Sequence, residues 1–177
     1  GFAARALQAG AQGFLSKNAP PADFREAVRV LERWPDGVGP VLALHGPAGS
    51  GKSRLAAAWA ERVGAMPLHG AEAGLIDPLE LEGRPVLLDR APDADDESLF
   101  HLINLAVSTG SPLLLASRSA PRGWSTTLPD LRSRLNAIRT VGIEAPDDVV
   151  FAAMLRRAFA SRNITPADEL IEYLVRR

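Results

Sequence analysis

The chain has 177 residues, 46% of them hydrophobic and 23% charged, which is the balance of an ordinary globular protein and excludes a disordered one. Twenty basic residues stand against twenty-one acidic ones, so strong direct nucleic-acid binding is not expected, because neutralising phosphates takes clustered Lys and Arg. Apolar runs such as residues 113–116 fall far short of the roughly 18 residues a membrane span needs, and the lack of cysteine excludes disulfides, thiolate metal sites and cysteine nucleophiles.

The chain opens at Gly1 with no Met and no signal segment, as expected of a piece of a longer protein. Residues 1–20 are rich in Ala and Gly, and Pro20-Pro21 then punctuates the chain. Phe24, Ala27, Val28, Leu31 and Trp34 recur at helical spacing, predicting a helix over 23–34 that Pro35-Asp36-Gly37 ends. Residues 41–44 read as a buried strand, 53–63 as an Ala-rich helix, and 66–68 and 86–88 as strands, the second closing on Asp89. Over 96–109, Leu99, Leu102, Ile103 and Ala106 share one helical face, with Gly110 placed to end the helix. A strand over 113–116, a short helix over 129–137 led by Pro129, and a last strand over 140–143 follow. Two helices, over 147–162 and 165–177, close the chain, the second with Thr165 as N-cap and Pro166 at N1. Strands alternating with helices predict an α/β fold, a parallel sheet covered on both faces.

Gly46-Pro47-Ala48-Gly49-Ser50-Gly51-Lys52-Ser53 fits G-x-x-x-x-G-K-[ST] between a strand and a helix, which is the context that motif requires. Glycines let the backbone curl so that successive N–H groups point at phosphate oxygens, and the helix N-terminus adds its positive end. Lys52 then reaches the β- and γ-phosphates, the Ser53 hydroxyl is a Mg²⁺ ligand, and Arg54 completes the nucleotide-binding set. Asp89, at a strand end, is the expected second Mg²⁺-side oxygen and catalytic acid; a plain strand-ending Asp is the alternative.

The next position, where many P-loop ATPases place a carboxylate to orient the attacking water, is Arg90, which stays protonated and cannot act as a base. Asp93, Asp95, Asp96 and Glu97 read as a solvated helix start, with a catalytic carboxylate among them as the alternative. Ser117 ends a strand where its hydroxyl can face a γ-phosphate; a purely structural strand-end serine is the alternative. Arg132 and Arg134, two apart, point to different sides of a helix, so one can face a neighbouring subunit's phosphate while the other stays on the surface. His45, His69 and His101 lack ligand spacing, and Trp34, Trp59 and Trp124 offer no base-stacking platform.

With these motifs the sequence resembles the DnaA/Hda family: the AAA+ core of the bacterial replication initiator DnaA, and more closely its Hda-type regulators. The resemblance runs over about residues 34–177. It rests on the loop at 46–53, Val86-Leu87-Leu88-Asp89, the 96–104 stretch, the Ser117 strand end, and Leu128-Pro129-Asp130-Leu131-Arg132-Ser133-Arg134-Leu135, which is similar to the family's box VII. It implies an AAA+ P-loop core with a five-stranded parallel sheet over residues 37–145. Around that core it implies an N-terminal segment and helix over 1–36 and the first helices of a lid over 146–177, with the sensor 2 residue beyond the end of the chain. Arg134 falls on the arginine finger that acts on a partner, and Ser117 on the sensor 1 position, with Arg118 replacing the initiator's acid.

The implied cofactor is ATP or ADP with Mg²⁺. The implied function is negative regulation of chromosomal replication initiation in the bacterial cytoplasm, by stimulating hydrolysis of ATP bound to DnaA or a DnaA-like AAA+ protein, with weak intrinsic hydrolysis. The DNA polymerase sliding clamp is a further candidate partner, although residues 1–20 hold no convincing clamp-docking motif; residues 6–31 resemble, locally, the tail of a response-regulator receiver. Homo-oligomerisation stays open. A self-sufficient P-loop ATPase or small kinase is the alternative function.

Overall fold

The computed structural model of the protein describes residues 22–35, 39–144, 148–160 and 164–175. Strands β1 (Val41–His45), β2 (Met66–His69), β3 (Val86–Asp89), β4 (Leu113–Ser117) and β5 (Arg139–Gly142) form one sheet in the order β2-β3-β4-β1-β5. Every neighbouring pair is parallel, so the expected α/β fold with a five-stranded parallel sheet is present. The central strands are apolar throughout because both of their faces are covered. Val41, Ala43, Leu113 and Leu115 look into one layer, and Leu42, Leu44, Leu114 and Ala116 into the other.

On the second of these faces lie α1 (Ala22–Arg33) and α2 (Lys52–Val63), which bury Phe24, Ala27, Val28 and Leu31 with Leu55, Ala56 and Trp59. Trp34 packs against Trp59 with ring centroids 5.0 Å apart and planes tilted by 37°, and its indole N–H donates to the Gly39 carbonyl at 2.8 Å. Helix α1 therefore shares its core with α2 and the sheet, although sequence alone sets it in a segment ahead of residue 37.

The opposite face is covered by α3 (Pro78–Leu81), α4 (Asp96–Thr109) and α5 (Pro129–Ala137). Helix α4 buries Leu99, Leu102, Ile103 and Ala106, the face its spacing predicts. Its N-cap is Asp95, whose carboxylate accepts the Ser98 N–H at 2.8 Å. Helix α5 starts at Pro129 as expected and buries Leu131 and Leu135.

One segment holds structure that the sequence reading leaves unassigned, and one expectation needs correction. Between β2 and β3 the structure holds a 3-10 helix (Gly70–Leu75) and the single turn of α3. Both are held by local caps that leave no periodic signal: His69 Nδ1 accepts from Ala71 N–H, and Asp77 Oδ1 from Leu79 N–H. At the end of the chain, α6 (Asp148–Ala160) packs against α7 (Asp168–Val175), and α7 begins two residues later than Pro166 at N1 predicts. The first turn is closed by the Ala167 carbonyl, which accepts from Leu170 and Ile171, and Asp168 is tied to Arg156 of α6 at 2.8 Å.

Positions 1–21, 36–37, 147, 161–162 and 176–177, where the receiver-like stretch, clamp docking and several helix ends are expected, lie outside the described residues. Among the described residues no helix is long and apolar enough to cross a membrane.

Candidate functional site

Parallel pairing brings the carboxyl ends of β1, β3 and β4 to one edge of the sheet, with His45 paired to Ser117 and His69 to Asp89. That edge is where open α/β sheets bind ligands. The loop from Gly46 to Gly51 leaves β1 there. The Gly46 N–H donates to the Ser117 carbonyl at 3.3 Å, and a Cβ on Gly46 would stand 2.2 Å from the Ile143 carbonyl oxygen, so no side chain fits. Gly49 and Gly51 take φ values of 80° and 86°, which only glycine adopts without strain.

Helix α2 then starts at Lys52 with no side-chain cap, so its first N–H groups face outward as an anion site. Lys52 is buried and its Nζ donates to the Pro47 carbonyl at 3.1 Å. Ser50 is fully buried and its hydroxyl has no hydrogen-bond partner. Such a group is costly, and its place inside a glycine-rich loop at a helix N-terminus fits a cradle shaped around a ligand.

Between this loop and the ends of β3 and β4 lies a cleft of about 620 Å³. Ala48, Gly49, Lys52 and Ser53 form one wall, Asp89, Arg90 and Asp93 a second, and Ser117, Arg118 and Ser119 a third. Gly46, Pro47, Ser50 and Gly51 shape the loop without lining the cleft, and Arg54 is exposed on α2, outside it. Burial pulls the Lys52 ammonium below its ordinary pKa; Asp89 opposes that shift, and Arg118 adds to it. Ser53 and Asp89 bring a hydroxyl and a carboxylate into one cleft. These hard oxygen donors suit Mg²⁺, which is commonly held by one or two carboxylates together with substrate phosphates.

Arg90, just past the strand acid, takes a left-handed backbone (φ 51°) and pairs its Nε with Asp93 Oδ2 at 3.1 Å. Its N–H donates to Asp89 Oδ1 at 3.0 Å. Ser117 is 4% exposed, and its hydroxyl donates to the Ser119 carbonyl at 2.7 Å. The Trp124 indole N–H donates to the same carbonyl at 2.9 Å. Arg118 between them is exposed and, among the described residues, has no hydrogen bond or ion pair.

Chromosomal replication initiator protein DnaA of Desulfotalea psychrophila is 24% identical over 174 residues, covering 84% of this chain and 36% of that relative. The replication initiator DnaA bound to AMPPCP and single-stranded DNA superposes with a TM-score of 0.69 at 19% identity, covering 93% of this chain and 58% of that one. Domain III of the Thermotoga maritima replication initiation protein DnaA superposes with a TM-score of 0.68 at 17% identity, covering 93% of this chain and 78% of that one. The fold is that of the DnaA AAA+ core. No family model matches the chain. The chain spans about a third of the length of the curated relative it matches.

On this fold the two arginines of α5 part company. Arg132 donates to the Arg122 carbonyl at 3.2 Å and the Trp124 carbonyl at 2.6 Å, which binds it to its own chain. Arg134 lies outside the cleft, exposed, and among the described residues it makes no hydrogen bond or ion pair.

Sequence reasoning missed three parts of the candidate site: the Arg90–Asp93 pair, Ser119 and the Trp124 bond. One signal was available. Residues just past a strand end in a parallel sheet face the ligand crevice, which marks 118 and 119 as surely as it marks Ser117.

Proposed function

We propose that the protein is a cytoplasmic regulatory AAA+ protein of the Hda type. It binds ATP or ADP with Mg²⁺ in the cleft and lends Arg134 to the nucleotide of a DnaA-like partner, whose hydrolysis then restrains replication initiation. The observation that carries this reading is the contrast on α5: Arg132 is held by two carbonyls of its own chain, while Arg134 is an exposed guanidinium away from its own cleft, with no hydrogen bond or ion pair among the described residues.

Within the cleft, loop N–H groups and the open N-terminus of α2 hold the phosphate chain, and Lys52 neutralises its terminal end. Ser53 and Asp89 would hold Mg²⁺, which when bound neutralises phosphate oxygens. Asp89 and Asp93 are the carboxylates among the described lining residues, and Asp93 is engaged by Arg90. Neither is placed as a free base for water, which supports slow hydrolysis of the protein's own nucleotide. In a partner's site the terminal phosphoryl group spreads charge over its equatorial oxygens during transfer. A guanidinium arriving from outside stabilises that charge without covalent chemistry. The DnaA structure bound to AMPPCP supports the choice of nucleotide.

Phosphate release by the purified chain, alone and mixed with DnaA–ATP, tests the reading. Turnover alone should stay below the roughly 1–10³ s⁻¹ of ordinary enzymes, with the partner's hydrolysis accelerated. Rapid turnover alone with no effect on the partner would make the protein a self-sufficient P-loop ATPase or small kinase.

A further inference from the structure

We infer that Arg118, rather than Ser117, is the residue at the end of β4 that contacts the terminal phosphate of a bound nucleoside triphosphate. The inference rests on the reading of the cleft as a nucleotide site and assigns a specificity residue within it.

Three observations carry it. The Ser117 hydroxyl has one proton, and that proton goes to the Ser119 carbonyl at 2.7 Å, in a side chain only 4% exposed. A phosphate offers acceptors only, so the hydroxyl as placed has nothing to donate to it.

The same carbonyl also accepts the Trp124 indole N–H at 2.9 Å, so two side chains brace the turn at 117–119. Arg118 is the middle residue of that braced turn and lines the cleft that Lys52 and Ser53 line. A cation carried on a fixed turn needs little further ordering to meet an anion.

Finally, the cleft holds two guanidinium groups, and only one is spoken for. Arg90 is paired with Asp93 at 3.1 Å, whereas Arg118 has no partner among the described residues. Arg118 also acts electrostatically on Lys52, so the two cations repel across the cleft until a polyanion comes between them. A guanidinium suits that role, since its planar fork can take two phosphate oxygens at once.

Titration of AMPPCP and of ADP, each with Mg²⁺, into the unsubstituted protein and into Arg118→Ala, Arg118→Lys and Ser117→Ala tests the inference. Arg118→Ala should weaken AMPPCP about 10-fold or more and ADP less than about 3-fold, as loss of a charge-assisted bond to the terminal phosphate requires. Arg118→Lys should fall between, and Ser117→Ala should change the AMPPCP-to-ADP ratio less than Arg118→Ala does. Equal loss of both ligands in Arg118→Ala, or no loss of either, overturns the assignment, as does a collapse of the ratio in Ser117→Ala alone. If the unsubstituted protein binds neither ligand, the nucleotide reading itself fails and this inference falls with it. Circular dichroism melting of each variant confirms that binding is compared between folded proteins.

Discussion

Asp96, in the first turn of α4, accepts both the backbone N–H and the hydroxyl of Thr127 on one carboxylate oxygen, at 2.7 and 2.9 Å. The two residues are 31 positions apart, and the bond pins the chain just ahead of Pro129, where α5 and its two arginines begin. What sequence alone presents as a solvated helix start is thus a tether for the helix that carries Arg134.

The tether has a pH signature. The Thr127 N–H, with the hydroxyls of Thr126 and Thr127, holds the Asp96 carboxyl below its ordinary pKa. Its stabilising effect is therefore full above the unfolded value, about 3.9 for Asp, and is lost as pH falls through the lower folded value. Urea unfolding of the unsubstituted protein and of Asp96→Ala should show a gap in midpoint at pH 7 that narrows as pH falls from about 4 through the lower folded value. A gap that keeps its size throughout that fall would contradict the tether.

Lys52 should separate ligand binding from folding. A ligand at 100 times its Kd stabilises the folded state by about 2.7 kcal/mol, enough to raise a melting temperature by several degrees. Lys52→Met should abolish the shift produced by Mg²⁺ and AMPPCP. It should not lower the melting temperature without ligand, because it removes an ammonium whose burial is unfavourable. Thermal melts with and without nucleotide check both halves.

Gly46 offers a purely steric test. A methyl group there would sit 2.2 Å from the Ile143 carbonyl oxygen, which belongs to backbone and cannot swing aside. Gly46→Ala should cost about 1–3 kcal/mol, read from the urea midpoint, and should weaken nucleotide binding as the loop shifts. An unchanged midpoint would mean that the loop and the exit of β5 move apart freely.

Much of the framework was legible because it rests on local pattern. The spacing of Leu99, Leu102, Ile103 and Ala106 marks the buried face of α4, and the pattern of residues 46–53 marks the glycine turn from β1 into α2. What pattern could not supply was contact between distant positions. Nothing near Arg132 in sequence says that the Arg122 and Trp124 carbonyls hold it, nor does Ser117 announce that its proton is taken. Short capped elements such as the 3-10 helix after β2 also stayed hidden, since one turn carries no periodicity.

The pair on α5 should divide cleanly between folding and partner chemistry. Arg132→Ala removes two bonds to backbone carbonyls and should cost about 1–2 kcal/mol in urea unfolding. Arg134→Ala removes an exposed side chain with no partner among the described residues and should change stability by less than about 0.5 kcal/mol.

The most direct measurement is the rate of ATP hydrolysis by a DnaA partner in the presence of Arg134→Ala, run beside a titration of the variant's own nucleotide binding. Arginine fingers are worth about 10³–10⁵ in rate, and a lysine lacks the planar fork, so neither Arg134→Ala nor Arg134→Lys should restore stimulation. The account predicts that stimulation is lost while the variant's own binding is unchanged. Full stimulation by Arg134→Ala would contradict it, and loss of the variant's own binding would make Arg134 part of its own site instead.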